Sequence, residues 1–414
     1  MRPGTSAAPS RLAATRPVLA LLAGALVLAT GIAGCGKGDT HTGAGQDVTP
    51  AATHGKARPR PPQAIATGST TRIGGANATE DAAAVAETVY PGLTPATRPK
   101  AVVLVGEHDW PGALAASPLT GGRLRAPILY DEGGSVPTAT SAALAALEPV
   151  GAQMLGGAQV ITVGKVAAPS GYKTLAVEGA TPYKLAAKLA ALVARLDGGR
   201  VGQAIVADAG DRQALAMPVA GLAAESGAPV LLVQAGAVPA VTTTELESLR
   251  DPSIYAVGPE ASIGAAALDA LQKTGETRRI GGGGAVQNAI AVAAYTDGTF
   301  GWGVQEPGHG IVFARASSPF DAPAAALLSA SADYGPLLLL PSSGPVPLPV
   351  QRYLRDIQPG YTSAPESLPV RGVYNRGWLI GDEDAISLDT QAELDALLRS
   401  VPRKSAYPAP KISP

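Results

Sequence analysis

One phrase opens three consecutive segments of the chain: Arg72-Ile-Gly-Gly-Ala-Asn77, Ala176-Val-Glu-Gly-Ala-Thr181 and Arg279-Ile-Gly-Gly-Gly-Gly284. The starts of the three copies are 104 and 103 residues apart, which is the length of an ordinary domain. Each copy runs into an Ala-rich stretch of helical character, at 80–89, 184–196 and 287–294. The phrase therefore indicates an internal repeat of a whole module.

The segments that follow each opening recur in a fixed order. A β-branched strand candidate comes first, then a strand that begins with Ala-Pro or Gly-Pro, then a helix introduced by Val-Pro, and last a strand that ends at Gly. The strand candidates are 101–105, 126–130 and 160–164 in the first repeat, 204–207, 228–233 and 254–258 in the second, and 310–313, 335–340 and 377–381 in the third. Short apolar runs that alternate with helices predict βαβ units with buried, mainly parallel sheets. We expect Pro in the first turn of each Val-Pro helix.

Composition and charge limit the classes of protein that fit. At 46% hydrophobic and 4% aromatic residues, the chain can bury a large core made mainly of Ala, Val, Leu and Ile. Residues 71–400 hold 22 Lys/Arg and 31 Asp/Glu, a formal net charge of −9. A nucleic-acid-binding protein shows the reverse balance, so we expect no nucleic-acid partner.

The N-terminus has the pattern of an export signal. Arg2, Arg11 and Arg16 precede an apolar run over 18–29, which is too short for a permanent transmembrane helix. The run ends in Ile32-Ala-Gly-Cys35, which resembles the lipobox of bacterial lipoprotein precursors. The resemblance implies a signal peptide over 1–34 and a lipid on Cys35, the only cysteine of the chain. The alternative is an ordinary secretory signal that leaves Cys35 as a free thiol.

These boundaries divide the rest of the chain. Residues 35–70 are rich in Gly, Thr, Ala and Pro and are expected to form a disordered tether, and 401–414 a similar tail. Between them we place the three repeats at 71–174, 175–277 and 278–400.

Taken together, the repeated phrases resemble the type 2 cell-wall-binding repeat, which occurs in tandem triplets in bacterial surface proteins. The matching phrases include Arg72–Asn77, Ala126-Pro-Ile-Leu129, Ala228-Pro-Val-Leu-Leu232 and Phe320-Asp-Ala322. The resemblance implies three tandem Rossmann- or Toprim-like α/β modules in a pseudo-threefold arrangement within one monomeric chain. It also implies a non-catalytic protein that binds an anionic cell-wall glycopolymer non-covalently in grooves between modules, partly through basic side chains. The Arg that follows the opening in the family is absent, with Ala78, Pro182 and Ala285 in its place.

The glycine-rich third opening is the best candidate for an anion site, because exposed N–H groups at the start of a helix favour negative charge. We therefore name Arg72, Arg278, Arg279, Gly282 and Gly283 as candidate polymer-binding residues. For Arg72 and Arg279 a structural role, in a salt bridge with the acids around Glu80, is an equal alternative. Asn77 and Asp321 are interpreted as helix caps.

No catalytic or metal site is recognisable, and no cofactor is expected. His41 and His54 lie in the predicted tether, and His108 and His309 have no Cys or second His at ligand spacing. No G-x-S-x-G nucleophile elbow is present. We thus expect an extracytoplasmic lipoprotein, held to the membrane through Cys35, that binds the cell wall. The alternatives are a solute-binding lipoprotein and, less favoured, an envelope hydrolase.

Overall fold

Each of the three repeats contributes strands to a parallel β-sheet, and helices connect the sheets. The computed structural model of the protein describes residues 65–199, 201–208, 210–331, 335–341, 343–361 and 374–402. The predicted signal peptide, Cys35, residues 36–64 and the tail beyond 402 lie outside the described residues. Within the described part of the chain, no helix combines the length and the apolar character that a membrane span requires.

The elements follow the predicted segments to within about two residues at most ends, which is the usual uncertainty of element boundaries. The strands are β1 (Ile65–Ala66), β2 (Thr70–Ile73), β3 (Val102–Gly106), β4 (Ile128–Asp131), β5 (Val160–Val163), β6 (Thr174–Val177), β7 (Gln203–Asp208), β8 (Val230–Val233), β9 (Ser253–Val257), β10 (Thr277–Ile280), β11 (Gly310–Arg315), β12 (Leu337–Leu340), β13 (Gly360–Tyr361), β14 (Arg376–Ile380) and β15 (Val401–Pro402). The helices are α1 (Ala78–Val89), α2 (Trp110–Ala116), α3 (Thr138–Leu147), α4 (Pro182–Leu196), α5 (Gln213–Ala216), α6 (Pro218–Ser226), α7 (Ala240–Ser248), α8 (Ala265–Thr274), α9 (Ala285–Ala294), α10 (Asp321–Ser329), α11 (Leu348–Asp356) and α12 (Leu388–Leu398).

The three sheets share one strand order. The first is β4-β3-β5-β6, the second β8-β7-β9-β10, and the third β12-β11-β14-β2, with β1 added antiparallel at its edge. All other pairs in these sheets are parallel. The inner strands are mainly apolar on both faces, as expected for sheets covered by helices, and Val102–Val105 are completely buried, whereas the edge strands β6 and β10 are partly exposed. The predicted α/β class with parallel sheets is confirmed.

The opening phrase of each repeat belongs to the sheet of the preceding repeat. Strand β6 pairs with β5, β10 pairs with β9, and β2, the first full strand of the chain, pairs with β14. The last pairing aligns Thr70 with Gly377 and Ile73 with Ile380, and it closes the three modules into a ring. Residues 65–70, which we expected in the tether, instead form β1 and begin β2, because their backbone completes the edge of the third sheet.

A helix crosses from each sheet to the next. After β2, β6 and β10 the chain turns into α1, α4 and α9, which pack on β4, β8 and β12 respectively. The short helical turn Ser117–Thr120 after α2, together with α6 and α10, forms the contacts among the three modules. The same contacts recur in the three modules, so the arrangement is pseudo-threefold, as the resemblance implied.

Helix starts show how the local sequence sets these turns. The side chains of Asn77 and Thr181 cap α1 and α4 by accepting from the backbone N–H groups of Glu80 and Lys184. The three Val-Pro prolines stand one residue earlier than predicted, as the residue preceding α3, α7 and α11. The φ angles there, −59°, −60° and −58°, suit the proline ring.

The first module differs from the other two at one connection. Helix α8 lies between β9 and β10, and helix α12 lies between β14 and the end of the described chain. Residues 164–173, between β5 and β6, form no helix. The core of all three modules consists mainly of Ala, Val, Leu and Ile side chains, as predicted.

Candidate functional site

The turns that contain the repeated glycines lie at the carboxyl edges of the three sheets. At the end of β2 the N–H of Gly75 donates to Asp81 Oδ1 at 2.6 Å, and at the end of β10 the N–H of Gly282 donates to Asn288 Oδ1 at 3.0 Å. Leu185 occupies the matching position in α4, where it packs closely against Gly179. The three pseudo-equivalent positions thus hold an acid in α1, an amide in α9 and an aliphatic side chain in α4.

Arg72 is 3% exposed and donates five hydrogen bonds inside the protein. Its acceptors are the backbone carbonyls of Gly381, Asp382 and Ile386 and the side chain of Gln391 on α12. The acids around Glu80 are not its partners. Burial lowers the pKa of Arg72, opposed by the charges of Glu383 and Asp382. The guanidinium therefore joins the first repeat's opening strand to the connection after β14.

Arg279 makes the pseudo-equivalent contacts in the second sheet. Its Nη1 donates to the carbonyl of Gly258 at 2.8 Å and its Nη2 to that of Ile263 at 2.5 Å. These carbonyls correspond to Gly381 and Ile386 in the third sheet. The first sheet has Ala176 at this position and lacks the helix that the other connections contain. Each arginine therefore occurs in a module that has a helix after the neighbouring strand, α8 after β9 or α12 after β14. This indicates that the two arginines hold these helical connections in place.

Arg278 points to the other face of β10 and is held by two acids. Its guanidinium is paired with Asp297 and, at 2.7 Å, with Glu276. Asp297 also accepts from Tyr255 Oη at 2.8 Å and from the backbone N–H of Phe300 at 2.9 Å. Hydrogen bonds from this loop lower the pKa of Asp297 despite its desolvation, and burial raises the pKa of Tyr255 to about 12. The Arg278 side chain remains 44% exposed.

The two candidate glycines serve different purposes. A Cβ at Gly282 would overlap the backbone of Gln287, so this residue permits the turn to approach α9 closely. A Cβ at Gly283 would meet nothing within 4 Å, so Gly283 faces open space. The structure therefore separates the five candidates: Arg72, Arg279 and Gly282 have internal contacts, while Arg278 and Gly283 are accessible.

A buried acidic pair lies where the first and third repeats meet. Asp81 on α1 and Asp321 at the start of α10 are both 0% exposed, and their carboxyl groups lie close enough to affect each other's pKa. The prediction that Asp321 is a helix cap is wrong, because Phe320 occupies the capping position of α10. Asp321 instead accepts from Ser318 Oγ at 2.7 Å and lies 3.7 Å from the Arg315 guanidinium. Asn77, by contrast, is the cap that we predicted.

Burial raises the pKa of both acids. Desolvation and the charge of Asp321 raise the pKa of Asp81 to about 8. Desolvation also raises that of Asp321 to about 6, offset by the Ser318 hydrogen bond and the charge of Arg315. The two raised pKa values favour a state in which the pair keeps a proton near neutral pH. At the pseudo-equivalent position, Asn288 is neutral, and its Nδ2 donates to the carbonyl of Leu215 at 2.6 Å.

The first sheet has a cleft of about 390 Å³ at its carboxyl edge. It lies between the ends of β3, β4 and β5 and the start of α4, and its lining includes Glu107, Asp109, Asp131, Lys165 and Thr181. Searched over the described residues alone, the structure contains no group of three or more His, Cys, Asp or Glu side chains arranged to hold a metal ion. His108 lies in the rim, with an exposed side chain 3.5 Å from Glu107.

Fold and site together define a class of protein: a tandem-repeat α/β protein whose three sheets close into a pseudo-threefold ring. Residues 72–166 match the family Cell wall binding domain 2 (CWB2), which confirms the resemblance of the repeated phrases to that family. No curated protein matches the chain.

Two solved structures are similar to this fold. Cwp6 from Clostridium difficile matches with a TM-score of 0.61 and 19% identity, over 82% of this chain and 51% of that one. Cwp8 from Clostridium difficile matches with a TM-score of 0.60 and 18% identity, over 80% of this chain and 52% of that one. The chain therefore spans about half the length of these proteins.

Proposed function

We propose that the protein is a non-catalytic, lipid-anchored component of the cell envelope that binds an anionic glycopolymer of the cell wall through its three modules. The observation that carries this proposal is the CWB2 domain at 72–166, embedded in a ring whose other two modules repeat its fold. The names of the similar solved proteins, Cwp6 and Cwp8, agree with a location at the wall.

The anchor rests on the Ile32-Ala-Gly-Cys35 phrase, and the tether 35–64 then sets the distance between the lipid and the modules. The protein would thus have two attachments, the lipid at Cys35 in the membrane and the modules at the wall.

The contacts of the candidate residues support a narrower version of the proposed binding surface. Arg278 and Gly283 are accessible; Arg278 lies on β10, and Gly283 lies in the turn that leads from β10 into α9. Arg72, Arg279 and Gly282 support this proposal indirectly, because their internal contacts fix the turns that follow β2 and β10. We therefore assign direct polymer contact to Arg278 and the Gly283 backbone.

A pull-down with purified cell walls tests the function. The protein should sediment with untreated walls and should stay in the supernatant with walls from which the anionic glycopolymer has been chemically removed. Added salt should weaken binding, because contacts between exposed charges are screened. Retention that depends on neither the polymer nor salt would contradict the proposal.

A further inference from the structure

The first module has an uncovered cleft where the other modules have a cover. A Cβ at Gly258, at the end of β9, would overlap Ser262, and a Cβ at Gly381 would clash with Ala385. Both side chains belong to the turns that lead towards α8 and α12. At Gly164 the connection has no helix, and the nearest group is the carboxylate of Asp109. The 390 Å³ cleft opens at this point, at the edge where open α/β sheets bind ligands.

Negative charge dominates the lining of the cleft. Glu107, Asp109 and Asp131 contribute carboxyl groups, and Lys165 contributes the one ammonium group among its lining residues. Asp109 is partly occupied, since its Oδ1 accepts from the N–H of Gly112 at 2.9 Å. An anion entering this cleft would be repelled, whereas a cation would be attracted.

Asp131 is the residue that the fold does not explain. It is the last residue of β4, and its counterparts at the ends of β8 and β12 are Val233 and Leu340. Asp131 is 1% exposed, and its Oδ2 accepts from the N–H of Gly134 at 2.9 Å. Its Oδ1 is buried and has no hydrogen-bond partner among the described residues. An unpaired buried carboxylate is costly, and an aliphatic side chain would avoid this cost.

We propose that this cleft binds a saccharide unit that bears a protonated primary amine, with the ammonium group paired to Asp131 and the sugar lying against Glu107 and Thr181. The turn over Asp131 contains Gly133 and Gly134, both with positive φ and with open space beside them. The proposal requires this turn to move aside so that the ammonium group reaches Oδ1. An ammonium group supplies several donors and the opposite charge, so it satisfies this oxygen better than a neutral hydroxyl.

This inference rests on the proposed function in one respect, since the amine-bearing unit would be part of the wall polymer. The inference goes beyond the proposed function in the chemistry that is recognised, because the cleft would select a positive substituent on a polymer that is otherwise anionic. It also accounts for a wall-binding protein whose repeats carry a net charge of −9.

Titration of the purified chain with glucosamine and with N-acetylglucosamine, followed by NMR, tests the proposal. Glucosamine carries a protonated amine, whereas the acetyl group of N-acetylglucosamine converts that amine into a neutral amide. We expect glucosamine to bind saturably and to shift signals of the cleft, and N-acetylglucosamine to bind about tenfold more weakly or not at all. Asp131→Val, which introduces the residue of the second sheet, should abolish the preference for glucosamine. Glu247→Gln, which removes a charge from an exposed position on α7, should preserve it.

Equal binding of the two sugars by the wild-type chain would overturn the proposal, and so would an undiminished preference in a folded Asp131→Val variant. The comparison on the wild-type chain remains decisive even if the variant does not fold. A wall pull-down run in parallel separates the two hypotheses. Wall retention without glucosamine binding would reject the cleft alone, and glucosamine binding without wall retention would reject the wall function.

Discussion

The carboxyl groups of Asp81 and Asp321 face each other across the junction between the first and last repeats, with no solvent exposure on either residue. Asp81 Oδ2 and Asp321 Oδ2 have no conventional donor among the described residues. A shared proton is what makes their contact favourable. Tyr130, whose Oη donates to the Phe320 carbonyl at 2.5 Å, and Arg315 complete the surroundings of the pair.

Stability should therefore fall as the pH rises. Both pKa values, about 8 for Asp81 and about 6 for Asp321, lie above their ordinary values, so the folded state keeps protons that the unfolded state releases. Their contribution is fully present below about pH 4 and is lost as the pH rises through about 6 to about 8. Thermal unfolding measured across this range should show a declining Tm, with the junction between α1 and α10 opening first in hydrogen exchange.

Asp81→Asn should reduce this dependence to the part that Asp321 contributes, and Asn288 shows that an amide fits the pseudo-equivalent position. We expect the variant to gain at least about 2 kcal/mol in the free energy of unfolding at pH near 8, and little near pH 4. Asp269→Asn, an exposed site on α8, is the matched control and should change neither value. A variant that is less stable than the wild type at every pH would show that Asp81 is needed as a carboxylate.

Arg72→Ala should destabilise the protein by about 3 kcal/mol, because it leaves three backbone carbonyls and Gln391 without their buried donor. Arg72→Lys should recover little of this loss, since one ammonium cannot reproduce the planar guanidinium contacts. Chemical denaturation measures both. Arg279→Ala should cost less, about 1 kcal/mol, because Arg279 donates to two backbone carbonyls and is partly exposed.

Arg278→Ala separates the wall contact from the structural role of its neighbours. Arg278 is 44% exposed and Asp297 keeps its donors from Tyr255 and Phe300, so the variant should lose less than about 1 kcal/mol in stability. If Arg278 contacts the polymer, the variant should nonetheless sediment less with cell walls, while Arg250→Ala, at another exposed arginine, should sediment normally. Unchanged sedimentation of a folded Arg278→Ala variant would remove this residue from the proposed surface.

Gly121→Ala tests how tightly the modules meet. A Cβ at Gly121 would overlap the backbone carbonyl of Ala224 on the C-terminal part of α6, and backbone cannot move aside as a flexible side chain can. We expect a loss of about 2 kcal/mol in the free energy of unfolding. Gly236→Ala, where a Cβ would meet nothing within 4 Å, is the control and should be nearly neutral. Equal stability of the two variants would mean that the modules are less closely packed than described.

The anchor is tested by the mass of the mature N-terminus. Expressed in a bacterial host that lipidates exported proteins, the chain should begin at Cys35 with acyl groups attached, and Cys35→Ser should release it from the membrane fraction. An unmodified Cys35 in membrane-free protein would exclude the anchor.

Local signals were enough to predict most strands and helices, because the repeated phrases place buried apolar runs and helix caps at fixed distances. They could not reveal that β2 completes the third sheet, since its partner β14 lies about three hundred residues later. Asp321 shows the same limit. Its position before an Ala-rich helix is typical of a cap, and only the contact with Asp81 gives it another role. Asp131 could have been singled out by comparing the ends of β4, β8 and β12.

The pairing of β2 with β14 has a consequence for the order in which the protein acquires its structure. Strand β2 is synthesised before the first and second sheets exist, yet its parallel partner β14 arrives only with residues 376–380. The first and second sheets can form from neighbouring segments, whereas the third requires closure of nearly the whole chain, which is entropically slow. Folding should thus be sequential, and an apolar strand edge of the third module should stay exposed until β14 pairs with β2.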